Sequence, residues 1–234
     1  MSRWPTPSDA ARGPVDRVAA GLAFQENLVE GLLGLIWEAY DELARTDYRR
    51  VEWSLDLRNV ERNLTKGVSR VLQVKLRTFR DGYHALTVQP EQQEFATQRG
   101  NRGQAPTYDI AFEWNGDDRV MWGVEAKVLL DDRDTEGGPG EYVSEGVNRF
   151  LERRYAPFVG SGAMLAFLRS GSAIEIASHI SRRLGVSLST SIVFSERHHW
   201  TSIHNRATSE GSGTEPFTCH HLVFELSTES SNLT

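Results

Sequence analysis

A chain of 234 residues, 39% of them hydrophobic and including ten Phe, six Trp and six Tyr, has enough apolar mass for one large domain or one domain with an extension. Its net charge of −6 excludes a uniformly basic, nucleic-acid-coating surface and leaves only local basic groups, such as Arg77 with Arg80 and Arg149 with Arg153 and Arg154. No apolar run is long enough to span a bilayer, the first twenty residues lack the apolar segment of a secretory signal, and Cys219 has no partner for an internal disulfide; a reduced, cytoplasmic protein without membrane contact is expected.

Residues 1 to 16 carry Pro5, Pro7 and Pro14 and read as an irregular arm. Leu22, Phe24, Leu28, Leu32, Leu33, Leu35, Ile36 and Tyr40 recur at helical spacing and predict a long amphipathic helix over 18–43. Arm and helix make an extension, residues 1–50, whose helix is a candidate homodimer or partner-protein surface. A second helix is expected with Asp56 or Asn59 as N-cap and Val60, Leu64, Val68, Val71, Leu72 and Leu76 as its apolar stripe. Glu61 falls in its first turn.

The period then changes. Residues 83–88 predict a strand ended by Pro90, and 89–104 a polar loop. Strands follow at 107–114 and 120–130, joined by the turn chemistry of Asn115-Gly116-Asp117-Asp118. A charged, Gly-rich loop at 131–140 precedes a helix marked by Tyr142, Val143, Val147, Phe150, Leu151 and Tyr155 that stops before Pro157. The continuous apolar run 162–168 predicts a central strand buried on both faces. Ser172 and Gly185 bracket a further helix. Strands are expected at 190–194 and 220–226, with a third around 199–203, and 207–215 reads as a Gly- and Ser-rich loop. The order implies an α/β domain over 51–226, a mixed central sheet flanked by helices, with a polar tail at 227–234.

Asp109 lies within the apolar strand 107–112, and Glu125 and Lys127 within 121–130. Charges in such runs cost several kcal/mol, on the order of the penalties for burying ions, unless paired or bound to a metal. Alternation along a strand turns Glu125 and Lys127 to one side and Ala126 to the other. The competing reading is a cross-strand ion pair between Asp109 and Lys127. The histidine pairs His198-His199 and His220-His221, with His204, match no zinc-site spacing; they are expected to be structural, with one near a phosphate.

Asp109 followed by Glu125-Ala126-Lys127 on the next strand resembles the signature of the PD-(D/E)XK, restriction-endonuclease-like, nuclease superfamily. Glu61 fits the family's helical Glu, with Glu30 and Glu52 as alternatives. Tyr108 stands where the family often has Pro, and Pro106 lies three residues before Asp109. The resemblance spans about 59–184 and implies a restriction-endonuclease-like fold. It further implies a Mg²⁺-dependent nuclease, with Mn²⁺ able to substitute, hydrolysing DNA phosphodiester bonds. Asp109, Glu125, Glu61 and the Ala126 carbonyl would be the metal ligands and Lys127 the stabiliser of phosphorane charge. Tyr142, Glu145-Gly146, Arg149-Phe150 and Tyr155-Ala156 form a pattern similar to nucleases of this fold found in bacterial defence loci. It offers Arg149 and Arg153 as phosphate contacts, or as residues orienting an acidic group. Defence against phage or foreign DNA, as a homodimer or with a partner protein, is the implied setting. The alternatives are an RNase of the same fold and a non-catalytic nucleic-acid-binding or scaffolding subunit. The loops at 89–104 and 131–140 are expected to touch substrate.

Overall fold

The computed structural model describes residues 17–46, 51–52, 56–78, 86–94, 106–114, 117–130, 138–207 and 213–226. The N-terminal arm, the tips of the expected loops at 95–105, 131–137 and 208–212, the 115–116 turn and the tail lie outside the described residues. Seven strands, β1 (Leu86–Gln93), β2 (Thr107–Trp114), β3 (Asp117–Leu129), β4 (Ser161–Leu168), β5 (Ser189–Thr190), β6 (His199–Ala207) and β7 (Thr214–Glu225), form one mixed sheet ordered β1-β2-β3-β4-β7-β6-β5. Only β3–β4 and β4–β7 pair in parallel. β4 is therefore central and buried along its whole length, as its uninterrupted apolar sequence requires.

Helices α1 (Arg17–Thr46) and α2 (Leu57–Thr78) precede the sheet. Asp56 caps α2: its Oδ1 accepts the Asn59 N–H at 3.1 Å, settling the choice between the two cap candidates. A third helix, α3, runs through a first turn Pro139–Glu141, a π-helical segment Tyr142–Val147 and a last turn Asn148–Leu151. Helix α4 (Ala173–Leu184) has the Ser172 hydroxyl on the Ile174 N–H and Gly185 at φ 67° as its C-terminal stop. On β7, Phe224 packs on Trp37 and Tyr40 of α1, whereas His221 bonds Tyr142 of α3. Strand residues an odd number apart face opposite sides, so α1 and α3 cover opposite faces of the sheet.

Helix α1 is part of the core. Leu32, Leu33, Leu35, Ile36, Trp37 and Leu43 are buried, Tyr40 Oη donates to the Glu225 carbonyl at 2.8 Å, and Arg197 grips Asp41 at 2.6 and 2.7 Å. The apolar stripe that made this helix a candidate dimer surface is used within the chain. No helix among the described residues is long and apolar enough to cross a membrane.

Three expected elements are corrected. β1 runs through Pro90 to Gln93 instead of stopping before it. The strand lies at the sheet edge, where a missing N–H facing outward breaks no ladder bond. The helix after Tyr142 begins earlier and ends at Leu151, leaving Tyr155 in the turn beyond it. Residues 191–194 are turn, not strand, and Ile192 is 92% exposed; its β-branched side chain suits a strand, but no neighbour covers it.

Candidate active site where two strands part

The β2–β3 ladder pairs Ile110 with Val124 and goes no further toward Asp109, while β2 stays bonded to β1 as far as Gln93↔Thr107 and β3 to β4 as far as Leu129↔Leu168. The sheet thus opens between β2 and β3. The opening leaves alternate N–H groups of β3 without a strand partner, and a buried unpaired N–H is costly. Two carboxylates replace the missing strand. Asp109 Oδ2 accepts the Ala126 N–H at 2.6 Å, and Glu61 Oε2, from α2, accepts the Val128 N–H at 3.1 Å. A strand residue's N–H and C=O project to one edge, so the Ala126 carbonyl also faces the opening.

Lys127 and Glu125 share the face that alternation assigns them. Lys127 Nζ lies 3.3 Å from Glu61 Oε1 and 3.4 Å from Glu125 Oε1. Arg149, from α3, donates to the same Glu125 Oε1 at 2.9 Å. Arg149 is itself held by Tyr155 Oη at 3.0 Å and Glu145 at 3.2 Å, and Tyr155 donates to the Thr107 carbonyl at 2.5 Å. Asp109 and Lys127 make no direct ion pair: Asp109 is spent on a backbone amide and Lys127 on the two glutamates. Glu125 Oε2 is buried and has no partner among the described residues.

Burial raises the Asp109 and Glu61 carboxyls above their ordinary range; the Ala126 N–H and Lys127 offset part of this for Asp109, and Lys127 offsets part for Glu61. Glu125 is pushed furthest, to about 8, by burial and then by the Asp109 charge, against the pull of Lys127 and Arg149. Burial works against the Lys127 ammonium as well, but the Glu125, Glu61 and Asp109 carboxylates outweigh it and keep the amine charged. The cluster therefore has three carboxyl groups against two cations in a poorly solvated place, and Glu125 keeps its proton to about pH 8 unless another positive charge joins it.

These groups sit in a cleft of about 930 Å³. Its described wall carries Arg58, Arg62, Lys66 and Glu61 from α2, Glu91 from β1, and Glu141, Tyr142, Glu145 and Arg149 from α3. The π-helical segment brings α3 close. A Cβ on Gly146 would lie 2.1 Å from Met164 Cε and 3.8 Å from Glu125 Cγ, so any larger residue must push the buried Met164 side chain aside. Gly146→Ala is expected to cost about 1–3 kcal/mol through overpacking, read as a lower urea midpoint, and to displace Arg149 from Glu125.

Asp109, Glu125, Lys127, Glu61 and Arg149, read from the sequence, come together. Glu30 and Glu52 do not line the cleft. Arg153 is elsewhere: it bonds Glu215 and the carbonyls of Pro157 and Ala207, tying α3 to the β6–β7 hairpin. No histidine lines the cleft among the described residues, which corrects the expectation of one beside the phosphate. His221 bonds Tyr142 at 2.9 Å and Ser202 at 2.8 Å, while His220, on the other face, bonds His199 at 3.3 Å. Burial lowers His221 and His199 to about 3 and His220 to about 4, so all three are neutral struts. Among the described residues no three His, Cys, Asp or Glu side chains gather into a ready metal cage. Sequence reading missed Glu145 and Tyr155 as the holders of Arg149, and it missed Arg58, Arg62 and Lys66, whose fourfold spacing on a helix was the available signal. The chain matches no protein-family model, no curated protein and no solved structure.

Proposed function

We propose that this chain is a metal-dependent nuclease of the PD-(D/E)XK type with a restriction-endonuclease-like fold, hydrolysing phosphodiester bonds of DNA in bacterial defence. The observation that carries the reading is the parted strand pair. It gathers Asp109, Glu125, Lys127 and Glu61 at one cleft and leaves Glu125 Oε2 buried and unmatched.

The donor set suits Mg²⁺ or Mn²⁺. These are oxygen-seeking ions that keep several waters and take one or two carboxylates, so a full protein cage is not required. Asp109 and Glu125 would hold the ion, with the Ala126 carbonyl and Glu61 completing the protein ligands. When bound, the ion polarises the scissile phosphate and lowers the pKa of a coordinated water. The remaining work belongs to side chains. Arg149 fixes Glu125 through Oε1 and leaves Oε2 without a hydrogen-bond partner among the described residues. Lys127, held by Glu61 and Glu125, presents a permanent cation to the oxygens on which negative charge grows as phosphorus becomes five-coordinate. Its raised pKa makes it a charge stabiliser and not a base. Hydrolysis adds the water oxygen to phosphorus, and the water's proton ends on the leaving oxygen.

Incubation of plasmid DNA and of RNA with the protein, in Mg²⁺ and in EDTA, tests the reading. Cleavage in Mg²⁺ alone, lost in Asp109→Ala, is the expected result. Activity that survives Asp109→Ala removes this site from the chemistry. RNA cut in preference to DNA replaces the substrate. Absence of cleavage of either by the wild type favours a scaffolding subunit.

A further inference from the structure

The cleft has a second charged feature that the chemistry above does not use. Arg58, Arg62 and Lys66 recur at every fourth position of α2, all three are exposed, and all three line the cleft. Positions four apart stack along one side of a helix in steps of about 6 Å. The cations of the catalytic cluster, Lys127 and Arg149, are both occupied by carboxylates. The α2 row is different. Arg58 and Lys66 have no ion-pair partner among the described residues. Arg62 meets Glu91 at 3.2 Å, with both side chains more than half exposed, a pair that solvent keeps weak. On a chain with 32 acidic and 26 basic residues, a row of unspent cations beside a carboxylate site is not what composition alone would place there.

We propose that the Arg58–Arg62–Lys66 row binds consecutive backbone phosphates of the nucleic-acid strand whose scissile bond lies at Asp109 and Glu125, an assignment that rests on the nuclease reading of this cleft. Guanidinium forks and an ammonium are the groups that hold phosphate oxygens, the fork bidentately and the ammonium as a point charge. Backbone phosphates are the same at every step of a strand, so such contacts set its position and direction without regard to sequence. Glu61 sits one residue before Arg62 on the same helix. The helix that steadies Lys127 at the site would thus also hold the strand, which fixes the scissile phosphate relative to the cation. Glu91, the weak partner of the middle arginine, is the carboxylate a phosphate would displace from the row.

Binding and cutting are separated by measuring fluorescence anisotropy of labelled DNA and RNA oligonucleotides in Ca²⁺ in place of Mg²⁺, across a salt series. Each phosphate contact contributes roughly 0.7–0.9 to the slope of log K against log salt, so replacing all three residues by Ala is expected to flatten the slope by about 2. Glu91→Gln is expected to tighten binding by freeing Arg62. The three alanines lie on an exposed helix face and favour the helix, so the variant keeps its fold, which its thermal melt verifies. An unchanged slope in the triple variant, with the wild type binding, overturns the row and leaves the nuclease reading standing. A wild type that neither binds nor cuts overturns both.

Discussion

If the cleft cuts phosphodiesters as proposed, Lys127→Ala is expected to lower kcat/KM by about 10²–10³-fold, the size expected when one preorganised group facing transition-state charge is lost. Two roles make the effect large. In the proposed reaction Lys127 would face the phosphate oxygens where charge develops, and it is the counter-charge for Glu61 at 3.3 Å and Glu125 at 3.4 Å. Without it both carboxylates hold their protons more firmly. Lys127→Arg does not restore activity, because a broad planar fork cannot occupy the point position between two glutamates. Steady-state cleavage across a Mg²⁺ series checks this, with circular dichroism to verify folding. Wild-type rates from Lys127→Ala would assign the residue to structure alone.

Glu125→Gln makes the metal-free protein more stable at alkaline pH. The folded-state pKa of Glu125 is raised from 4.5 to about 8. A carboxyl shifted upward binds its proton more tightly in the native state. The stability this contributes is complete below pH 4.5 and is lost as pH climbs through about 8. Above that pH the native protein carries an ionised glutamate in a desolvated cluster of three carboxylates and two cations. Glutamine leaves two against two: Lys127 retains Glu61, and Arg149 retains Glu145 and Tyr155. The gain is on the order of 1–3 kcal/mol, a rise in Tm of roughly 2–12 °C for a chain of this size. Thermal melts in EDTA from pH 6 to pH 9 should show the gap between variant and wild type widening with pH. Added Mg²⁺ should raise the wild-type Tm and leave the variant unmoved. A variant less stable than wild type at every pH would mean that Glu125 serves as the structural partner of Arg149.

Much of this arrangement was legible before any coordinates. The run 162–168 has the pattern expected of a strand buried on both faces, and alternation along the strand placed Glu125 and Lys127 together. Ser172 and Gly185 marked their helix because caps are local chemistry. What stayed hidden depends on distant neighbours. Pro90 ends a strand in the interior of a sheet but not at its edge, and edge position is set by strand order, which no local pattern encodes. The stripe on α1 announced that something covers it but not that the cover is Phe224 and the rest of its own sheet. Arg153 and Arg149 look equivalent in sequence. A φ of 57° at Arg153, after the helix ends at Leu151, sends the two in different directions.

The parting of β2 from β3 has a mechanical side. Five register pairs join these strands, against eight between β4 and β7 and nine between β6 and β7. The sheet is therefore in two parts, β1–β2 and β3 onward, whose shared ladder stops at Ile110↔Val124. Beyond that point they are joined by Asp109 on Ala126 and by Glu61, through α2, on Val128. A ligand drawing on either carboxylate would compete with the β3 backbone amide that it now holds, so filling the cleft would act on the joint between the two parts of the sheet.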